Sequence, residues 1–95
     1  MNAEIIIKEK KGTIVDVRTS AEYKTGHVEG SINIPIQEFQ QRISELKSIK
    51  QPIVVCCASG GRSGQAVPFL MQQGIICYNG GSWLEVKHHQ KKVHH

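Results

Sequence analysis

Ile53-Val54-Val55-Cys56-Cys57-Ala58-Ser59-Gly60-Gly61-Arg62-Ser63 is the stretch on which the reading of this 95-residue chain turns. Ile53 to Cys56 is the most apolar segment of the sequence, as expected for a central parallel strand covered on both faces, where no polar alternation is needed. Ala58-Ser59-Gly60-Gly61 is a tight polar loop. Arg62 or Ser63 then opens a helix whose Ala66, Val67, Leu70 and Met71 share one face and which Gly74 closes. Pro68 lacks the N–H that a helix interior uses, so a slight kink or a late helix start is expected there.

Working outward, Asn2 can cap a short helix through Lys11, with Glu4 four residues before Lys8 and Gly12 suited to the stop, although Ile5-Ile6-Ile7 also suits a strand. Thr13 to Val17 reads as a buried β-branched strand. Thr19 to Glu22 has the spacing of a capping box and starts a short helix that Gly26 ends. Ser31 to Ile34 forms a second strand stopped by Pro35, and Ile36, Phe39, Ile43 and Leu46 then recur at helical spacing until Gln51-Pro52. On the far side, Ile75 to Tyr78 is a last strand, and Asn79-Gly80-Gly81 is a turn before a C-terminal helix. Strands alternating with helices predict an α/β fold, a small and mostly parallel sheet flanked by helices on both faces. We expect one domain over 1–95, with a core over about 12–85 and a basic, His-rich tail over 86–95.

Composition narrows the function. The longest apolar run, Ile53 to Ala58, is six residues, far short of the ~20 of a membrane-spanning helix, so no membrane role is expected. The N-terminal residues lack the apolar core of a secretory signal, which makes a cytoplasmic location the default. A net charge of +4 favours anionic partners, small anions or an acidic partner protein. Nucleic acid is not expected, because the basic residues are scattered with no aromatic interleaving. Three cysteines, two of them adjacent, cannot form a closed disulfide framework and suggest free thiols in a reducing compartment.

The chemistry concentrates where the central strand meets its helix. Parallel sheets bind ligands beyond the carboxyl ends of their strands, and a glycine loop there turns several N–H groups towards one point. The helix N-terminus adds positive potential, which favours a thiolate over a thiol at the base of the cradle. Arg62 offers a permanently charged fork for an oxyanion, and a cation at this end of a helix opposes its dipole unless an anion compensates.

With Ile14-Val15-Asp16-Val17-Arg18, Glu22-Tyr23, Gly26-His27-Val28, Gly30, Asn33-Ile34-Pro35, the Ile53 to Ser63 segment and Asn79-Gly80-Gly81 through Trp83, the chain resembles the rhodanese-like sulfurtransferases, single-domain type. The resemblance runs from about Gly12 to Trp83, with Ser31 standing where alanine is usual. It implies a sulfur relay in which a catalytic cysteine attacks the outer sulfur of thiosulfate or a persulfide donor, becomes a persulfide, and passes the sulfur to a thiol or to cyanide. It implies no metal and no organic cofactor.

Two cysteines compete for that role. Cys57 to Arg62 is C-x4-R, the six-residue sulfurtransferase loop, and on that reading Cys57 is catalytic while Ala58, Ser59, Gly60, Gly61, Arg62 and Ser63 bind substrate. Cys56 to Arg62 is C-x5-R-S, formally a phosphatase signature with a wider cradle. We favour Cys57, because the ungapped match leaves Cys56 in the strand as buried filler. A sulfur carrier or interaction module with little turnover is a third reading.

Asp16, Arg18 and Glu22 read as structural support, with Arg18 pairing Glu22 and Asp16 accepting loop N–H bonds. His27 reads as a turn residue, Cys77 as inert core and Trp83 as a packing anchor. His88, His89, His94 and His95 match no compact zinc spacing.

Overall fold

The computed structural model describes residues 2–91. Each helix follows from a local signal. Asn2 accepts the Ile5 N–H at 3.0 Å and opens α1, Ala3–Glu9. Lys10, at φ 53°, ends it two residues before the expected glycine. Thr19 and Glu22 form the predicted capping box of α2, Ser20–Lys24. The apolar face Ile36, Phe39, Ile43, Leu46 is present but is not one helix. A 3-10 turn, Ile36–Glu38, is followed by α3, Ile43–Ser48, and all four residues still pack into one core layer. Spacing alone cannot separate the two cases, because a helical turn followed by a loop keeps the same side chains inward.

The strands are β1 Thr13–Asp16, β2 Ile32–Asn33, β3 Ile53–Cys57 and β4 Cys77–Ser82. They form one sheet in the order β2-β1-β3-β4, parallel throughout. All five β3 residues are buried, as a central strand demands. The last strand departs most from expectation. It begins at Cys77 and runs through Asn79-Gly80-Gly81, which is not a turn. Val55 faces Asn79 while Cys56 faces Gly81, so Gly80 is the extra residue of a β-bulge. A Cβ at Gly80 would stand 2.7 Å from Val54 Cγ1, which only glycine avoids.

Helices cover both faces. Ala66 and Leu70 of α4, Gly61–Gln72, and Leu46 of α3 pack with Val15, Ile53 and Val55 on one side. Ile6 and Ile7 of α1 and Val86 of α5, Trp83–Lys91, pack with Val54 and Cys56 on the other. The packed unit therefore extends past the expected 12–85 limits at both ends, and residues 86–91 are helix rather than tail. In α4, Met71 points outward at 62 % exposure, unlike Ala66 and Leu70. The helix starts at Gly61, so Pro68 does not delay it. Pro68 and Gly64, whose carbonyl a residue 68 N–H would have met, are both exposed, where water can serve that oxygen.

Candidate active site

Cys57 is the last residue of β3, and the chain turns from it into α4 within three residues. The turn depends on Gly60, whose φ of 98° is a left-handed conformation that costs other residues ~1–2 kcal/mol. Here the Gly60 N–H points back at Cys57 Sγ, 2.9 Å away. The Ser63 N–H and hydroxyl oxygen each lie 3.5 Å from the same sulfur, and the Ser59 N–H also faces it. Burial pushes the Cys57 thiol up. The Ser63 hydroxyl and the Ser63, Ser59 and Gly60 amides together outweigh burial and hold it below its ordinary value.

Cys56 has the opposite environment. Its side chain turns to the other sheet face, fully buried among Ile6, Val28, Val54 and Val86. Burial, reinforced by the Asp16 carboxylate, pushes its thiol up to about 12. Cys77 is also buried and its thiol raised for that reason.

The predicted substrate loop is thus gathered around one sulfur, but Arg62 does not stand free. Its guanidinium meets the Glu22 carboxylate in a two-pronged contact, Nη1 to Oε1 at 2.7 Å and Nη2 to Oε2 at 3.0 Å. The anion that compensates Arg62 against the helix dipole is therefore a side chain of α2. The same contact, led by the hydrogen bond from Arg62, lowers Glu22 to about 2.

The expected Arg18–Glu22 ion pair is corrected accordingly. Arg18 instead pairs with Asp16, Nε to Oδ1 at 3.0 Å and Nη2 to Oδ2 at 2.8 Å, with both side chains buried. Asp16 does accept a loop amide, that of Arg18 at 3.0 Å. Arg18 Nη2 also donates to the Gly26 carbonyl oxygen, and Nη1 to that of Glu22. The guanidinium also lies over Trp83, 4.7 Å from the ring centroid, and Trp83 packs against the core cluster of Ile6, Val54 and Val86. His27 stacks on Tyr23 at 3.9 Å.

Asn79 escaped the sequence reading, which treated it as turn. Its Oδ1 accepts the Ser63 hydroxyl at 2.7 Å and the Gly81 N–H at 2.9 Å, linking β4 to the loop. No local pattern marks it, because the bulge that aims it is a property of the pairing with β3.

A concavity of about 680 Å3 lies by Ile7, Lys10, Thr13 and Gln90, towards the amino ends of the strands and away from Cys57. The thiol faced by several amides, rather than volume, marks the candidate site. Among the described residues no three His, Cys, Asp or Glu side chains gather as metal ligands would, and no helix is long and apolar enough to cross a membrane. His94 and His95 lie outside the described residues.

A parallel sheet with a thiol ringed by amides at the end of its central strand defines the class of domain. A family model described as the rhodanese-like domain matches residues 3–88. The chain belongs to the rhodanese-like family. It is 41 % identical over 61 residues to the thiosulfate sulfurtransferase PspE of Escherichia coli, covering 63 % of this chain and 59 % of that protein. It is 39 % identical over 71 residues to a sulfurtransferase of Allochromatium vinosum, covering 72 % and 65 %. The structure of a rhodanese-related protein from Thermoplasma volcanium superposes with a TM-score of 0.73 at 39 % identity, covering 90 % of this chain and 89 % of that one. The chain spans less than two thirds of the length of the curated relatives it matches.

Proposed function

We propose that this domain transfers sulfane sulfur through a persulfide on Cys57. The observation that carries the reading is the set of amides converging on Cys57 Sγ, the nearest at 2.9 Å, around a thiol held below its ordinary value. In the first step the Cys57 thiolate attacks the outer sulfur of thiosulfate, the S–S bond breaks, and sulfite leaves with the electron pair. The new outer sulfur carries the negative charge, and preorganised donors stabilise it without rearrangement. In the second step cyanide or a thiolate attacks that sulfur, and Cys57 leaves as thiolate. The covalent intermediate divides the transfer into two easier displacements.

Ala58 to Ser63 form the binding loop. Arg62 contributes its charge to the rim while Glu22 holds its fork, so a substrate oxyanion meets Arg62 from a free edge or displaces the carboxylate. Glu22 supports the loop directly through Arg62, and the Asp16–Arg18 pair supports it at one remove, through the Glu22 carbonyl oxygen. Against the wider C-x5-R reading stands the environment of Cys56, whose thiol is pushed up to about 12. A reducing, cytoplasmic setting keeps the thiols free, and an acidic partner protein suits the basic surface.

The test is thiocyanate formation from thiosulfate and cyanide. Cys57→Ser abolishes it and Cys56→Ser largely spares it. Activity that follows Cys56 instead, with hydrolysis of an aryl phosphate, defeats the proposal. A sulfur adduct on Cys57 without multiple turnover identifies a carrier.

A further inference from the structure

We propose that Asn79 is a positioning residue of the Cys57 site, because it captures the Ser63 hydroxyl proton and so governs how much of that proton the reacting sulfur receives. The inference rests on the reading of Cys57 as nucleophile.

A serine hydroxyl has one proton to give. Buried Ser63 has three acceptors around its Oγ: Asn79 Oδ1 at 2.7 Å, the Gly60 carbonyl oxygen at 3.0 Å and Cys57 Sγ at 3.5 Å. The orientation of the Asn79 amide is set independently. Its oxygen accepts the Gly81 N–H at 2.9 Å, and its nitrogen lies 3.5 Å from the Gly60 carbonyl oxygen. The oxygen therefore faces Ser63, and the shortest contact takes the proton.

With the proton on Asn79, the lone pairs of Ser63 turn towards the sulfur. That arrangement suits a neutral thiol, which can donate its S–H to Oγ; a thiolate gains the Ser63 hydroxyl as a donor, and is held down by it, only once the hydroxyl has turned to the sulfur. When the thiol releases its proton to solvent, the hydroxyl must rotate to the sulfur and abandon Asn79. The amide oxygen keeps its Gly81 bond, so the switch leaves no buried group without a partner. Asn79 thus sets the cost of ionising Cys57 without touching it.

Two features of the chain bring Asn79 there. The bulge at Gly80 shifts the register between Val55 and Cys56, at the end of β3 that carries Cys57. On α4, Gly64 leaves room, since a Cβ there would meet Asn79 Nδ2 at 3.5 Å. The charged and titratable groups about the site are Asp16 and Arg18 after β1, Cys56 on β3, Arg62 on α4 with its partner Glu22 on α2, and Glu85 on α5, whose carboxylate takes the Ser82 hydroxyl. None of these contacts the Ser63 hydroxyl in the bonds above; Asn79 reaches the sulfur through that hydroxyl, and its longer contact to the Gly60 carbonyl oxygen is the route that the Ser63→Ala background separates.

The experiment is the pH midpoint of Cys57 alkylation by iodoacetamide in the full chain, read by peptide mass spectrometry with circular dichroism as a check of folding. Asn79→Ala leaves the Gly60 carbonyl oxygen at 3.0 Å as the competing acceptor, a weaker hold on the hydroxyl than Asn79 at 2.7 Å, so the midpoint moves down by a fraction of one net hydrogen bond, up to about half a unit, and does not move in a Ser63→Ala background. An unchanged or raised midpoint, or the same shift without the Ser63 hydroxyl, overturns the proposal. If Asn79→Ala does not fold, Asn79→Asp serves. It moves the midpoint up, more with Ser63 present than in Ser63→Ala, whereas an equal shift in both is charge alone and overturns it. The readout needs no turnover. Coupled midpoints in a protein that never gains sulfur defeat the sulfurtransferase reading alone, and uncoupled midpoints in an active enzyme defeat Asn79 alone.

Discussion

Glu22 and Arg62, 40 positions apart, meet through two hydrogen bonds of 2.7 and 3.0 Å and tie the loop after β3 to the helix after β1. The same carboxylate caps its own helix, since Oε1 also accepts the Thr19 N–H at 3.0 Å. One side chain thereby fixes the start of α2 and restrains the first turn of α4. Both partners are about one-third exposed, so the contact is screened by water and acts more on geometry than on stability.

The acid dependence of that contact has a definite sign. Folded Glu22 titrates at about 2 and the free residue at 4.5, so the contact contributes fully above the higher value and vanishes as pH falls through the lower. Glu22→Gln therefore melts below the parent protein near neutral pH, and the gap closes in strong acid. Thermal melts of both proteins across that range check it, and a gap independent of pH contradicts it.

Thiol labelling of the native protein separates the three cysteines. Iodoacetamide modifies Cys57 with a midpoint below the ordinary 9.0. All three thiols are buried, so the distinction rests on ionisation: Cys56 is pushed up to about 12 and Cys77 is raised by burial, and both react more slowly than Cys57 in the native protein near neutral pH. Peptide mass spectrometry of samples labelled with and without urea reads the difference.

Gly60→Ala tests the turn. At φ 98° an alanine costs ~1–2 kcal/mol, and relieving that strain moves the amide that lies 2.9 Å from Cys57 Sγ. The expected result is a stability loss of that size in urea together with a higher Cys57 alkylation midpoint. Stability lost with the midpoint unchanged means that the Gly60 amide does not hold the thiol down.

Arg18→Ala removes one partner of a buried ion pair and leaves the Asp16 carboxylate, 0 % exposed, without its counter-charge. Such losses cost ~3–5 kcal/mol, and the Gly26 carbonyl and the Trp83 ring lose their partner as well. Urea denaturation measures it. Arg18→Lys does not restore the parent stability, because one ammonium cannot reproduce the planar fork. Full stability in either variant contradicts the support role.

Signals carried within a few residues were legible beforehand. The capping box at Thr19, the buried run from Ile53, and the glycine loop between strand and helix depend on neighbours in sequence, and each lies where its pattern put it. Legibility failed where two structures share one pattern. Ile36 to Leu46 is a 3-10 turn and a separate helix because both keep the same apolar residues inward. Asn79-Gly80-Gly81 has the composition of a turn, yet pairing with β3 holds it extended around a bulge. Arg18 and Glu22 have opposite charges four residues apart, and that proximity suggested a pair that Asp16 and Arg62 take instead.

The amino-acid order alone determined a parallel α/β domain, the central strand and a cysteine seated at the mouth of an amide-rich loop, because strand periodicity, glycine punctuation and capping act over a few residues. Tertiary structure decided which of two adjacent thiols faces the amides and which faces the core, since neighbouring strand residues point to opposite faces and only the packed helices fill one of them. It also decided that Arg62 answers to Glu22 and Ser63 to Asn79. Those partners arrive from other strands and helices, and the sheet order that brings them together depends on contacts spread along the whole chain.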